Sequence, residues 1–162
     1  MNIFYLHSNS TIAARAMTNK HVVKMILESA QLLCTAHRVS DEAVEINGVK
    51  LYKSTHRNHP SAKWVRESMA NYEWLYDHFL ALSIEYYIRF GRLHLTYQTL
   101  GNVLGYSPIN IDRKAPFTAP PCAMPEQYCI PSDAVNSYRR YYEAEKLKYD
   151  DDIARYKLIL GV

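Results

Sequence analysis

The polar residues best placed for chemistry lie in one stretch, KHVVKMILESAQLLCTAH, which spans residues 20–37. If this stretch is an α-helix, its polar side chains fall in a single line. An ordinary solvated helix face repeats Lys and Glu, so the mixture found here needs a separate explanation. The line carries an imidazole, an ammonium, a carboxylate, an amide and a hydroxyl group, contributed by His21, Lys24, Glu28, Gln31 and Thr35.

Glu28 is the group in this line that could act on a substrate. His21 lies two turns before it and Lys24 one turn before it, so both could orient its carboxylate in a cleft. Glu28 would then serve as an acid–base or electrostatic group. The same spacing also fits an exposed face with a Lys24–Glu28 ion pair worth roughly 0.2–0.5 kcal/mol. The spacing alone leaves both interpretations open.

The sequence lacks the motifs of metal, phosphate-binding and nucleophilic sites. The seven histidines and three cysteines form no HExxH or CxxC pattern, so we expect no metal. No GxxxxGK phosphate-binding loop is present, and we expect no cofactor. A Ser-His-Asp or Cys-His nucleophile cannot be assembled from the sequence with any specificity.

Length and composition predict one globular domain over residues 1–162, with 48% hydrophobic and 22% charged residues. The net charge of +3 permits a nucleic-acid partner without requiring one. Fourteen tyrosines suit stacking on bases or packing against a partner, although most are expected to be half-buried. No signal peptide or membrane-length apolar segment is found, which favours a cytoplasmic protein with reduced cysteines.

Hydrophobic periodicity predicts a mostly α fold with three main helices and long irregular connections. The first main helix covers 20–37 and follows a short helix over 10–17, the second runs from Pro60 to Gly91, and the third covers 133–147. Asn47-Gly48 predicts a small hairpin near 44–52. Residues 97–131 hold six of the seven prolines, which is typical of a functional or interacting loop. The apolar residues expected to face inward on the first main helix are Val22, Val23, Ile26, Ala30, Leu33 and Cys34.

Two pairs of arginines invite a phosphate-binding interpretation. Arg89 and Arg92 lie in the Arg-Phe-Gly-Arg segment that ends the second helix, where cations also stabilise a helix C-terminus. Arg139 and Arg140 lie on the basic, tyrosine-rich third helix. The sequence does not separate capping from DNA contact for the first pair.

Several of these pieces, taken in order, resemble the pyrimidine-dimer DNA glycosylases of the phage endonuclease V type. They are His21 and Glu28 seven residues apart, His59-Pro60 before the second helix, Arg-Phe-Gly-Arg at its end, and Met-Pro-Glu-Gln-Tyr at 124–128 before the basic helix. The segments KHVVKMILE, HPSAKWVRES and YRRYY are also similar to a set of uncharacterised phage proteins.

The resemblance implies a helical, metal-free enzyme that acts on a nucleotide extruded from duplex DNA, in the host cytoplasm if the protein is phage-encoded. In that family an N-terminal α-amine attacks C1′ of the sugar and forms an imine, and β-elimination follows. An α-amine ionises near pH 8, so a useful fraction is a neutral nucleophile at physiological pH. The matching glutamate and histidine would be Glu28 and His21, which together with Met1 and Asn2 make up the expected catalytic set.

This sequence departs from the family pattern at two places. Asn2 stands where the family has a small residue that exposes a Thr amine, so the amine of Met1 is the expected nucleophile. Leu27 and about Gln31 stand where the family has phosphate-binding arginines. The DNA contacts would then come from Lys20, Lys24, Arg66, Arg89, Arg92, Arg139 and Arg140.

Two alternatives stay open on the sequence. The departures favour a DNA- or nucleotide-binding phage protein that keeps the fold without the chemistry. The proline-rich 97–131 segment favours a protein-interaction factor. A steep salt dependence of DNA binding would favour an enzyme or DNA-binding protein over the interaction factor.

Overall fold

Helices dominate the structure, a computed structural model that describes residues 1–162. The elements in chain order are α1 (Ser10–Arg15), α2 (Asn19–Ser40), β1 (Glu45–Ile46), β2 (Val49–Lys50), α3 (Pro60–Val65), α4 (Met69–Phe90), α5 (Leu95–Leu100), α6 (Ala134–Glu145) and α7 (Asp150–Leu160). Two 3-10 turns lie at Val103–Gly105 and Glu126–Tyr128. The predicted mostly α fold with a small hairpin is confirmed. No helix is both long enough and apolar enough to cross a membrane.

The long helices α2 and α4 pack against each other and form the centre of the protein. Each begins at a side-chain cap, because Thr18 accepts from the backbone N–H of His21 and Ser68 accepts from that of Asn71. Helix α4 ends at Gly91, whose φ of 68° is the left-handed conformation favoured at helix C-termini. The other helices and the N-terminal segment cover this central pair.

Helix α2 is buried over more of its circumference than its sequence suggests. Val23, predicted to face inward, is 40% exposed, as is Leu27. On the polar line, by contrast, His21, Glu28 and Thr35 are all buried. The prediction that only one apolar side of α2 is buried was wrong, because α2 contacts α3, α4 and α5. Polar groups on its other side are therefore withdrawn from solvent.

The second predicted helix is divided into α3 and α4. Arg66 ends α3, and Ser68 starts α4 as its N-cap. Asn71 stabilises the break, because its side-chain amide donates to the Trp64 carbonyl and to the Thr118 hydroxyl. The prediction of one continuous helix was therefore wrong at residues 66–68.

The third helix, the hairpin and the proline-rich segment are described by local contacts. The third main helix, predicted over 133–147, is α6 and begins at Ala134, because Asp133 caps it by accepting from the Asn136 N–H. The hairpin pairs Glu45 with Lys50 across a turn in which Asn47 and Gly48 both have positive φ, the geometry that favours Asn-Gly. The 97–131 segment contains the end of α5 and both 3-10 turns, and it packs on α3 where Trp64 donates to the Thr118 carbonyl.

Candidate active site

Glu28, in the middle of α2, faces the N-terminus of the chain. Its Oε2 accepts from the backbone N–H of Asn2 at 3.0 Å and lies 4.0 Å from the α-amine nitrogen of Met1. The Glu28 side chain is only 12% exposed and that of Met1 only 3%. Three of the four residues expected to be catalytic therefore meet at one carboxylate. A terminal amine beside a sheltered carboxylate is an arrangement that can support amine nucleophile chemistry.

Asn2 fixes the position of the N-terminal segment. Its side-chain oxygen accepts from the backbone N–H groups of Ile3 and Phe4, at 2.7 and 2.9 Å. Its side-chain nitrogen donates to the Ala123 carbonyl at 2.9 Å. The two hydrogen bonds accepted by the Asn2 side chain turn the backbone, and Phe4 adopts a positive φ of 55°. The N-terminal segment is therefore bent, and its hydrogen bond to Ala123 ties it to the proline-rich segment.

Lys24 supplies a second amine to the same carboxylate. Its Nζ lies 3.1 Å from Glu28 Oε1, the i, i+4 ion pair that helical spacing allows. Lys24 itself is exposed, whereas Glu28 is buried. An ordinary surface pair would leave both groups in water, so the burial of Glu28 favours the cleft interpretation of this face.

His59 lies close to this centre, although the sequence indicated only that it starts a helix. Its Nδ1 accepts from the backbone N–H of Ser61 at 3.1 Å and caps α3. Burial lowers the pKa of His59, as do the positive N-terminus and His56, while Glu28 raises it. Those interactions show that the imidazole is near both Glu28 and the amine. When neutral, the ring must carry its proton on Nε2, since Nδ1 is an acceptor. The signal that could have found His59 was the His59-Pro60 pair in the family resemblance.

A cavity of about 460 Å³ lies next to His59, whose neighbours Asn58 and Pro60 form part of its wall. Trp64 and Thr118 line it farther along. Its volume falls within the range of pockets that hold small molecules. Its lining does not include Glu28, Met1 or Asn2, so it is a separate space that could accept part of a substrate.

His21, the fourth expected catalytic residue, forms no hydrogen bond to Glu28. Its ring stacks on Phe4 with centroids 4.5 Å apart, and its Nδ1 lies 2.7 Å from the Tyr142 hydroxyl oxygen. Burial, together with the charges of Lys146, Lys24 and Lys20, lowers the pKa of His21 to about 4, against a smaller opposing effect of Glu28. His21 is therefore neutral at physiological pH and supports the N-terminal segment through Phe4.

The neutral state of His21 predicts a loss of stability in acid. The unfolded chain takes up a proton near pH 6.5 and the folded chain only near pH 4, so the free energy of unfolding falls as the pH drops between these values. This residue should account for roughly 2 kcal/mol of the loss between pH 7 and pH 5. Urea unfolding at both pH values should show a correspondingly smaller loss for His21→Gln. His56→Gln, in an exposed loop, should behave like the unmodified protein.

Arg89 does not reach the Glu28 site. Its side chain is 7% exposed and all five of its N–H groups are used. They donate to the Glu85 carboxylate, to the Met17 and Arg15 carbonyls, and to the Asn19 side chain. Its hydrogen bonds within the protein give Arg89 a structural use that needs no phosphate.

The other expected DNA-binding residues are distributed over several surfaces. Arg66 donates to the Arg57 and Ala62 carbonyls. Arg92 donates to the Tyr86 hydroxyl and Arg139 to the Leu6 carbonyl. Lys20, Lys24 and Arg140 are exposed, and of these only Lys24 contacts Glu28. The structure thus gathers Lys20 and Lys24 near the N-terminus of α2 and leaves Arg66 and Arg92 engaged elsewhere.

No group of three or more His, Cys, Asp or Glu side chains is arranged to hold a metal ion. The chemistry available at Glu28 is that of amines, a carboxylate and a neutral imidazole. Such groups can transfer protons and form covalent bonds to an electrophilic carbon.

The sequence also matches the model of a known protein family. The family model described as pyrimidine dimer DNA glycosylase matches residues 1–96. No curated protein and no solved structure matches the chain significantly. The matched range contains Met1, Asn2, Glu28 and His59, and it amounts to more than half of the 162 residues. The chain therefore belongs to the pyrimidine dimer DNA glycosylase family.

Proposed function

We propose that this protein is a DNA glycosylase with abasic-site lyase activity, in which the N-terminal amine and Glu28 act on a nucleotide extruded from duplex DNA. One observation carries the proposal. The Met1 α-amine and the Asn2 nitrogen lie 4.0 and 3.0 Å from the same oxygen of a nearly buried Glu28. Membership in the glycosylase family supports the choice of a damaged pyrimidine base as the group removed.

In the proposed reaction the neutral amine attacks C1′ of the deoxyribose. The new N–C1′ bond replaces the bond to the base, which leaves with a proton. Opening of the sugar ring gives an iminium ion, whose positive charge acidifies the C2′ hydrogen. Loss of that proton and of the 3′ phosphate completes β-elimination, and water then releases the amine. Every step uses groups of the protein, the DNA or water.

Glu28 serves this reaction through its charge. Positive charge develops on the sugar as the base leaves, and a carboxylate facing it stabilises that state. Because Glu28 is sheltered from solvent, its interaction with a nearby charge is stronger than it would be in water. Glu28 can also receive the proton that the attacking amine loses.

The geometry of the site allows either Met1 or Asn2 to supply the terminal amine near Glu28. With Met1 in place, its α-amine lies 4.0 Å from Glu28 Oε2. Removal of Met1 would turn the Asn2 nitrogen, already 3.0 Å from that oxygen, into the terminal amine. The size of Asn2 disfavours removal, so Met1 is the proposed nucleophile.

His59 is a proposed hydrogen-bond donor at the same centre. Its lowered pKa keeps the imidazole neutral near pH 7, and its Nε2–H is not used in capping α3. The cavity beside it has room for an extruded nucleotide. The Nε2–H of a neutral imidazole there could donate a hydrogen bond to the departing base and stabilise the negative charge that develops on it. The proton that the base takes up would then be the one that Glu28 receives from the attacking amine.

Reductive trapping tests the nucleophile directly. Borohydride added to the protein with ultraviolet-irradiated or abasic duplex DNA should yield a covalent protein–DNA adduct, because it reduces the imine to a stable amine. Intact mass and peptide mapping should place the adduct on the N-terminal peptide. The mass also reports whether Met1 is present.

Lys24 provides the matched control, since it is the other amine on Glu28. Lys24→Gln should still form the adduct if the terminal amine is the nucleophile. Loss of the adduct in this variant, with mapping to residue 24 in the unmodified protein, would assign the chemistry to Lys24. No adduct with either DNA would reject the lyase mechanism.

The second candidate is a DNA-binding protein of this family that has lost the chemistry. The side chain of Asn2 favours it, because its three hydrogen bonds give Asn2 a structural use that needs no reaction. Tight binding to damaged duplex DNA without any adduct or strand cleavage is the result expected for this candidate.

A further inference from the structure

A cavity of about 340 Å³ lies between the first turns of α2 and the connection from α6 to α7. Lys20 and Lys24 line it from α2, and Lys146 and Lys148 line it from the other side. Four lysines converging on one concave surface indicate a site for an anion.

The positive charge of this cavity exceeds its negative charge, because its four lysines face two carboxylates. Lys20, Lys146 and Lys148 take part in no ion pair, and Lys24 is paired only with Glu28. The two carboxylates in the cavity wall have other partners. Asp152 is paired with Arg155 at 2.9 Å and accepts from the Asn19 N–H, and Glu145 accepts from the Tyr128 hydroxyl.

The lysines are held close enough together to affect a neighbouring group. Lys146 lies over the Tyr141 ring, 4.8 Å from its centroid, which orients its ammonium. The charges of Lys146, Lys24 and Lys20 all lower the pKa of His21 at the back of the cavity. An anion placed between them would relieve this mutual repulsion.

The cavity is connected to the Glu28 site through one residue. Lys24 lines the cavity and also contacts Glu28 Oε1 at 3.1 Å, so one side chain would face both an anion bound here and the carboxylate. Tyr149 stands at its edge with 72% of its surface exposed, as an aromatic that stacks on a base often does. Lys146, Lys148 and Tyr149 all lie outside the 1–96 family match.

We propose that this lysine cavity binds a backbone phosphate of the DNA strand adjacent to the nucleotide held at Glu28. The proposal rests on the proposed function, because it takes DNA as the substrate. It assigns to the part of the chain beyond the family match the phosphate contacts for which Leu27 and Gln31 lack the charge. Lysine suits this role as a flexible point charge that finds one phosphate without reading the base.

The salt dependence of DNA binding tests the proposal. The double variant Lys146→Gln/Lys148→Gln should bind abasic duplex DNA more weakly, with the slope of log affinity against log salt reduced by about 1 for each lysine. The control variant Lys50→Gln/Lys53→Gln removes the same charge from exposed residues outside the cavity and should leave the slope unchanged. Thermal unfolding of each variant shows whether it is folded.

Acetylation of lysines by an activated ester, read by mass spectrometry, gives a second measurement on the unmodified protein. Duplex DNA should protect Lys20, Lys146 and Lys148 but not Lys50 or Lys53, and inorganic phosphate should protect the same lysines only weakly. DNA binding with unprotected cavity lysines and equal slopes would overturn the inference. So would protection by inorganic phosphate and not by DNA, which would identify a free-anion site. The borohydride adduct tests the enzymatic function independently of both results.

Discussion

Glu28→Gln should reduce base excision and strand cleavage by about a thousandfold or more while leaving DNA binding largely intact. The substitution keeps the shape of the side chain and an oxygen that can accept from the Asn2 N–H. It removes the negative charge that would face the cationic sugar and accept the proton of the amine. Preorganised charges and acid–base groups of this kind each contribute roughly 10²–10⁴-fold to a rate.

Single-turnover cleavage of abasic and ultraviolet-irradiated duplex DNA is the measurement, with binding followed by fluorescence anisotropy. Glu73→Gln is the matched control, because Glu73 is exposed on α4 and forms no ion pair. Glu28→Asp keeps the charge but draws it back by one methylene, so it should keep part of the activity. Full turnover by Glu28→Gln would show that the mechanism does not need the Glu28 carboxylate.

Helical spacing was enough to predict the polar line of α2 but not its burial. The spacing of His21, Lys24 and Glu28 follows from 3.6 residues per turn and needs no other part of the chain. Whether the line faces water depends on the N-terminal residues and on Ala123, which is 121 residues from its partner Asn2. Long-range contacts of that kind have no local signature. The spacing alone therefore predicted an inward Val23, which is exposed, and left the burial of Glu28 open.

His59 and Ser68 show two further limits of prediction from the local sequence. The local sequence predicts correctly that His59 starts a helix, since its ring caps α3. Its nearness to the N-terminus and Glu28 depends on how α3 packs against α2, which the sequence does not encode locally. The break before α4 did have a local signal, because Ser68 is a favourable N-cap, but the strong apolar period across 65–72 masked it.

The position of Arg89 at the end of α4 is compatible with two functions. A cation in the last turn of α4 suits the helix dipole and also suits DNA phosphate. The distinction depends on the Met17 and Arg15 carbonyls, which lie more than 70 residues earlier in the chain and point at the guanidinium. Only the tertiary structure brings these acceptors to Arg89.

Arg89→Met should therefore lower the free energy of unfolding by about 3 kcal/mol, since it leaves the Glu85 carboxylate and two carbonyls without their donor. Arg92→Met, at an exposed position with one hydrogen bond, should cost only about 0.5 kcal/mol. Urea unfolding at pH 7 measures both losses.

The DNA-binding behaviour of Arg89 variants separates the two roles. Arg89→Lys keeps the charge but loses the planar fork that serves several acceptors at once. A structural Arg89 predicts that this variant is destabilised, yet binds DNA with an unchanged salt slope below its unfolding temperature. A phosphate contact predicts the opposite result: normal stability for Arg89→Lys and a slope reduced by about 1 for Arg89→Met. Because all five N–H groups already have acceptors within the protein, we expect the first outcome.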